Sequence, residues 1–240
     1  MGKNIPVLYY HFISKPTKAT RIKGLYTSAG QFEWQIKRLI KAGFQFITFE
    51  DISLGNYQPE RRNIILTFDD GCESLYFNAF PILKKYQIKG VVYIVTAYSG
   101  ARGIVWEDNE NKDPLNLLTE DQIREMAAYG IEFGSHLTDH LHLTKLTEGE
   151  IRNQLSESKK YIEMLLNKNV YSVAYPFGSY NEQVVKIAEE TGYHFGVTTK
   201  PGNNMNQCNF ELYRYSVKGY AFRHYWYFYK MLKTILKSII

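Results

Sequence analysis

Asn63-Ile64-Ile65-Leu66-Thr67-Phe68, followed at once by Asp69-Asp70-Gly71, decides the fold. The near-continuous apolar run marks a strand covered on both faces, as in a parallel sheet lined by helices. Upstream, Phe44 to Phe49 is strand-like. Before it a helix runs from about Gln31, with Phe32, Ile36, Leu39 and Ile40 on one face and Gly43 as its stop. Pro6-Val7-Leu8-Tyr9-Tyr10 is a short buried strand ending at His11, and residues 12–28 are irregular. Downstream, the pattern predicts a helix over 74–86, a buried strand from Gly90 to Val95 and a long polar loop over 97–118, a length usual in lids and mobile segments. Two capping boxes, Thr119 with Gln122 and Thr147 with Glu150, open helices that run to Gly130 and to about Leu166, with the strand Ile131–Gly134 between them. Strand over Val170–Tyr175, helix over 180–191, and strands over His194–Thr198 and Leu212–Val217 complete the chain's alternation. Strands alternating with helices imply parallel βαβ units, and seven or so in one domain imply a closed or nearly closed α/β barrel.

The chain has 240 residues, 45% hydrophobic and 15% aromatic, with 20 Tyr and 14 Phe, which excludes disorder. The net charge is +5, but all six basic groups and no acid of residues 212–240 sit in that tail, leaving a body of net −1. A basic nucleic-acid-binding face on the body is therefore not expected. Two cysteines, Cys72 and Cys208, form no disulfide scaffold or zinc knuckle, and Cys72 reads as a small buried hydrophobe. The first residues, Met1 to Pro6, lack the apolar core of a secretory signal, and no run reaches membrane-span length. A peripheral-membrane or cytoplasmic location is the expectation, with no signal visible.

Barrel chemistry collects at the C-terminal ends of strands. Those ends here read His11, Asp69-Asp70-Gly71, Ser135-His136 and Tyr175-Pro176-Phe177-Gly178. Two adjacent carboxylates raise each other's pKa, and a divalent cation on one would relieve this while the other stays free as a base. A helix cap beside the positive end of a helix dipole is the plainer use of such a pair. His136 and His140, four apart, would meet on one side of a helical turn, as two ligands of one metal require. Alone they would be a structural pair. With Asp70 in the same mouth they make two histidines and a carboxylate, the set of an open catalytic metal site.

At these residues the sequence resembles the polysaccharide deacetylases, the NodB-homology or carbohydrate esterase family 4 enzymes. Thr67-Phe68-Asp69-Asp70-Gly71 with Ser74, Gly134-Ser135-His136-Leu137-Thr138-Asp139-His140 and Ala174-Tyr175-Pro176-Phe177-Gly178-Ser179-Tyr180-Asn181 look like three of the family's motifs, in order, over roughly 5–217. The resemblance implies a distorted (β/α)7 barrel and metal-dependent removal of acetyl from an N-acetylated sugar. It implies Asp70, His136 and His140 as ligands of a divalent metal, Zn2+ first, with Co2+ or Ni2+ as alternatives. It implies Asp69 as general base, with a backbone N–H, that of Tyr175, on the oxyanion.

Two departures stand out. The usual late Leu-His-Asp motif is absent, and Val7-Leu8-Tyr9-Tyr10-His11 looks like the permuted arrangement of the poly-N-acetylglucosamine deacetylase branch. That resemblance implies His11 as general acid; a histidine that only hydrogen-bonds at the mouth is the alternative. The family's third-motif arginine is replaced by Ala174. Arg214, in Leu212-Tyr213-Arg214-Tyr215, is a candidate substitute or substrate contact, though a surface arginine is the ordinary reading. Tyr175, Pro176 and Phe177 are candidate substrate contacts, with Tyr180 beside them, and core packing accounts for Phe177 equally well.

We divide the chain into a deacetylase-like domain over 1–218 and a basic amphipathic helix over 219–240. In the helix, Arg223, Lys230, Lys233, Thr234 and Lys237 share one side; Tyr225, Phe228, Tyr229, Leu232, Ile235, Leu236 and Ile239 share the other. Such helices lie on anionic membrane surfaces or pack on their own domain. The expected partner is an N-acetylated or lipid-linked glycan. The rivals are a catalytically weak glycan-binding homologue and a membrane-peripheral protein acting through its tail.

Overall fold

In the computed structural model, residues 4–18, 20–105, 114–205, 207–219 and 224–239 are described. Six parallel pairings order the strands Phe195–Val197 (β7), Ser172–Ala174 (β6), Glu132–Ser135 (β5), Val91–Ile94 (β4), Arg62–Phe68 (β3), Val7–Tyr10 (β1) and Tyr215–Ser216 (β8). Phe44–Phe46 (β2) pairs only with the first half of β3, off the main path. The segment around β8 joins the two ends of the curled sheet: Leu212 bridges to Val197 of β7, and Tyr215 pairs with Leu8 of β1. The ring is the distorted (β/α)7 barrel expected.

The period of two along the strands separates two layers. Ile64, Leu66 and Phe68 pack outward with Phe32, Ile36 and Leu39 of the helix Ala29–Lys41 (α1). Ile65 packs inward with Val7, Val91, Val197 and Leu212. Thr67 and Asp69 continue the inward row of β3, and Arg214 continues that of Leu212, so strand alternation aims polar groups into the barrel mouth.

The helices Glu120–Tyr129 (α4) and Glu148–Leu166 (α5) begin at the expected capping boxes. Two further boxes were not read from the sequence. Ser28 with Gln31 starts α1, and Thr48 with Asp51 starts Phe49–Leu54 (α2), which ends the strand expected over 44–49 at Phe46. The helix expected over 74–86 is divided into a single π-type turn, Leu75–Ala79, and Phe80–Tyr86 (α3). Pro81 is the cause: with no N–H it cannot donate to the preceding turn, and the wide turn absorbs the break. The helix Glu182–Glu190 (α6) is capped by Asn181.

The tail helix, His224–Ser238 (α7), packs on the barrel. Phe228, Leu232 and Ile235 are buried, and Trp34 of α1 meets Tyr225, Phe228 and Tyr229 edge-on at 4.7–5.6 Å. The centre of the apolar stripe is therefore covered by its own domain, while Tyr225, Trp226, Tyr227, Tyr229 and the lysines stand exposed. Arg223 lies outside the described residues. No helix among them is long and apolar enough to cross a membrane.

Candidate active site

Asp70, His136 and His140 converge at the mouth, all buried, with one ligand atom from each within 4.8 Å of the others. Nε2 of both histidines lies 3.5 Å from the same oxygen, Asp70 Oδ1. His136 Nδ1 donates to the Ala174 carbonyl at 2.8 Å; because a carbonyl only accepts, this fixes the ring's orientation and turns Nε2 toward Asp70. Burial, reinforced by the neighbouring His136, drives the His140 pKa down to about 3, so its ring is neutral and able to ligate. Burial pushes the Asp70 carboxyl up, but the hydrogen-bonding contact with His136 and the nearby His11 outweigh it and hold it low. Two imidazole nitrogens and one carboxylate, aimed at a common point, with the His136 ring oriented from behind by a backbone carbonyl, fit a divalent cation.

The histidine motif is not a helical turn, as the spacing suggested. Leu137 and His140 both have positive φ, 70° and 51°, and the turn is held from α5. Gln154 Oε1 accepts the N–H groups of Thr138 and Asp139, while its amide donates to Asp139 at 2.7 Å. Ser135 Oγ accepts the Leu137 N–H at 3.0 Å. Asp70 at φ 70° and Phe177 at φ 58° belong to the same pattern. Among the described residues, six non-glycine positions have positive φ; Gln87 and Asn167 are helix C-caps, and the other four surround this site. Gly71 completes the first turn: at φ 67°, a Cβ there would stand 2.8 Å from Ile94 Cγ2.

Asp69 faces the other way, into a buried clamp. Arg214 donates from Nη1 and Nη2 to its two oxygens at 2.7 and 2.8 Å. The guanidinium also donates to the Thr67 hydroxyl and the Thr198 carbonyl, and lies over the ring of Tyr9 at 4.5 Å. Arg214 has 0% exposure, so the surface-arginine reading and the expected substrate contact are both corrected. The inward parity of Leu212 and Arg214 was the signal in the sequence that could have found it. Burial would raise the Asp69 pKa; the Arg214 charge and hydrogen bonds overcome this and hold it below the usual carboxylate value. His11 is half-buried at the end of β1, edge-on to Tyr9 at 5.6 Å, and close enough for its charge to lower both carboxylates.

The third motif is divided. Tyr175 and Pro176 are buried, which corrects their assignment as substrate contacts; the Tyr175 hydroxyl donates to the Phe210 carbonyl at 3.1 Å. The Tyr175 N–H, expected at the oxyanion, instead donates to the Val197 carbonyl at 3.2 Å. Tyr180 stacks on Tyr175. Phe177 alone of the expected contacts stands exposed at the mouth, stacked on His142 at 4.0 Å and edge-on to His140 at 4.7 Å. Cys72 is buried, and desolvation with the Asp70 charge holds its thiol well above the usual value, which makes it unreactive.

Comparison with known proteins agrees with this geometry. A family model, polysaccharide deacetylase, matches residues 56–196. The Bacillus subtilis (strain 168) protein YxkH is 34% identical over 201 residues, covering 82% of this chain and 65% of its own length. The poly-beta-1,6-N-acetyl-D-glucosamine N-deacetylase of Staphylococcus aureus (strain MSSA476) is 29% identical over 227 residues, covering 89% of this chain and 75% of the relative. The structure of the Streptococcus pyogenes deacetylase PplD in complex with acetate superposes over 100% of both chains, with a TM-score of 0.78 and 26% identity. With the barrel, the three motifs in register and a matching model over more than half its length, this chain belongs to the polysaccharide deacetylase family.

Proposed function

We propose that this protein hydrolyses the N-acetyl group of N-acetylhexosamine units in a glycan and releases acetate. The observation that carries the reading is the division of labour between adjacent carboxylates: Asp70 sits with two histidines, Asp69 with an arginine. Asp70, His136 and His140 would hold a divalent metal, zinc or else cobalt or nickel, with positions left for water and substrate. A cation there supplies polarisation of the acetyl carbonyl and a more acidic attacking water.

Asp69, kept ionised by Arg214, takes a proton from the water as its oxygen bonds to the carbonyl carbon. Phe177 replaces Tyr175 as the backbone donor to the oxyanion, because the Tyr175 N–H is engaged, Pro176 has none, and Phe177 borders His140. The carbon–nitrogen bond then breaks, and His11 gives its proton to the departing amine. The weak-homologue reading drew its support from Ala174. Arg214 on Asp69 supports the active reading instead, and the named substrate of the staphylococcal relative supports an N-acetylhexosamine.

The test is acetate release from N-acetylated oligosaccharides by the purified chain, with chelator and then with each metal added back. Metal-dependent release is the expected result; a metal-loaded chain that releases none from any of them overturns the reading. H11A should lower kcat about a hundredfold with little change in KM; an unchanged kcat would move the acid role to another residue.

A further inference from the structure

Val7, Tyr9 and His11 alternate onto one side of β1 and the residue beyond its end. Val7 packs into the inner layer, so this side faces the barrel interior. Tyr9 pairs in register with Thr67 of β3 and with Ser216 of β8, and its carbonyl accepts the Val217 N–H at 3.1 Å. Its backbone is thus held from both sides, at the level where Arg214 donates to Thr67.

The Tyr9 ring meets both proton-handling arms of the proposed reaction. The Arg214 Cζ lies 4.5 Å from the ring centroid, and the His11 ring lies 5.6 Å away with 63° between the planes. The guanidinium directs its in-plane N–H groups to Asp69, Thr67 and the Thr198 carbonyl, which leaves its faces to a neighbour that needs no donor. An aromatic face is such a neighbour, and it attracts a cation more strongly where water is excluded. Arg214 is fully buried and Tyr9 half-buried, so the ring is part of what shuts solvent out of the clamp. His11 is held differently. Among the described residues no hydrogen bond fixes its imidazole; its ring neighbours are Tyr9 and, at 6.1 Å, Phe12. Both of its ring nitrogens are left to carry the proton it would deliver.

We infer that Tyr9 is a positioning residue, whose ring holds the Arg214–Asp69 clamp and the His11 imidazole in one fixed relation. The inference rests on the proposed deacetylation, in which Asp69 takes a proton from water and His11 gives one to the amine. The two transfers serve the same amide carbon–nitrogen unit, so base and acid must keep their separation as the bond breaks. A misplacement of about 1 Å in such a pair costs on the order of 100-fold in rate. One ring in contact with both removes two independent side-chain motions. The role belongs to the ring and not to the hydroxyl, because the Tyr9 hydroxyl has no hydrogen-bond partner among the described residues.

The experiment measures acetate release from the hexamer of N-acetylglucosamine by zinc-loaded parent, Y9F and Y9L, with bound metal and the denaturation midpoint of each. Y9L, which fills the space without a ring, should lower kcat about tenfold to a hundredfold, with KM within about twofold and metal content unchanged. Y9F, which keeps the ring, should hold kcat within about threefold of the parent. Should Y9L not fold, Y9M takes its place. An unchanged kcat in the ringless variant overturns the inference. So does a Y9F that falls as far, or a loss carried by KM, since either would make Tyr9 a substrate contact. The midpoints test the contact itself: Y9L should lower the midpoint of the parent, and lower that of R214M by less than about half as much. Equal shifts overturn the hold on Arg214, whatever the activity. A parent chain that releases no acetate overturns the deacetylation reading, and the midpoints then decide the inference alone.

Discussion

The mouth of the barrel and the tail helix α7 are built on opposite terms. In α7, local preference and tertiary need agree: every third or fourth residue is apolar, Phe228, Leu232 and Ile235 among them are buried, and the lysines face water. At the mouth they disagree. Asp70, Leu137, His140 and Phe177 hold a backbone conformation that non-glycine residues rarely adopt, and five ionisable groups, Asp69, Asp70, His136, His140 and Arg214, are buried together there. The barrel's packed layers stabilise a site that its own residues would not choose. The two regions should therefore respond differently to substitution, the mouth through charge and geometry, the helix through packed volume.

The largest expected effect separates the two carboxylates of the mouth. D69N should keep its metal and lose turnover by a factor of about 10²–10⁴, whereas D70A and H136A should lose the metal as well. Metal analysis of purified D69N checks this; a metal-free D69N would break the division. Next, R214M should destabilise the fold by about 3–5 kcal/mol, because it leaves the Asp69 carboxylate buried and unpaired; D69N/R214M should recover part of the loss in a denaturant titration.

A third expectation concerns the far end of the barrel. Burial raises the Glu132 pKa to about 7, against the hydrogen bonds it accepts from the Glu50 N–H and the Ser172 hydroxyl. The folded chain thus holds this proton to higher pH than the unfolded chain does. The group's contribution is full below about pH 4.5 and declines as pH rises to about 7, by about 3 kcal/mol in total. The stability of E132Q, followed over that window, should lack the decline. In α7, I235V should cost about 1 kcal/mol by loss of packed volume, and K233A should change stability by less than about 0.5 kcal/mol. A large effect of K233A on stability would erase the contrast between helix and mouth.

The same contrast explains what could be read from the sequence. Most strands, the helix starts at Thr119 and Thr147 and the amphipathic tail were legible because hydrophobic period and capping residues are local signals. The cluster of Asp70, His136 and His140 was legible because its residue types and strand-end positions coincide. The conformation of the histidine turn was not, because the side chain that holds it, Gln154, lies on another helix. Arg214 was read in part: its place as substitute for the missing motif arginine was legible, but its burial was not, because its environment is set by β1, β3 and β7 together and only its parity with Leu212 hinted at an inward course. Tyr175 was misread because an aromatic residue beside a motif looks the same whether it faces sugar or core.

The strand segment that joins β7 to β1 also has a consequence for assembly. It brings Arg214 to a carboxylate 145 residues earlier in the chain, so the pair forms only when the ring closes. Asp70, His136 and His140 all lie between residues 70 and 140, so their cluster draws on none of this closing segment. Pairing of the buried Asp69 carboxylate is thereby tied to closure of the ring: the last stave of the barrel also supplies the counter-charge in its mouth.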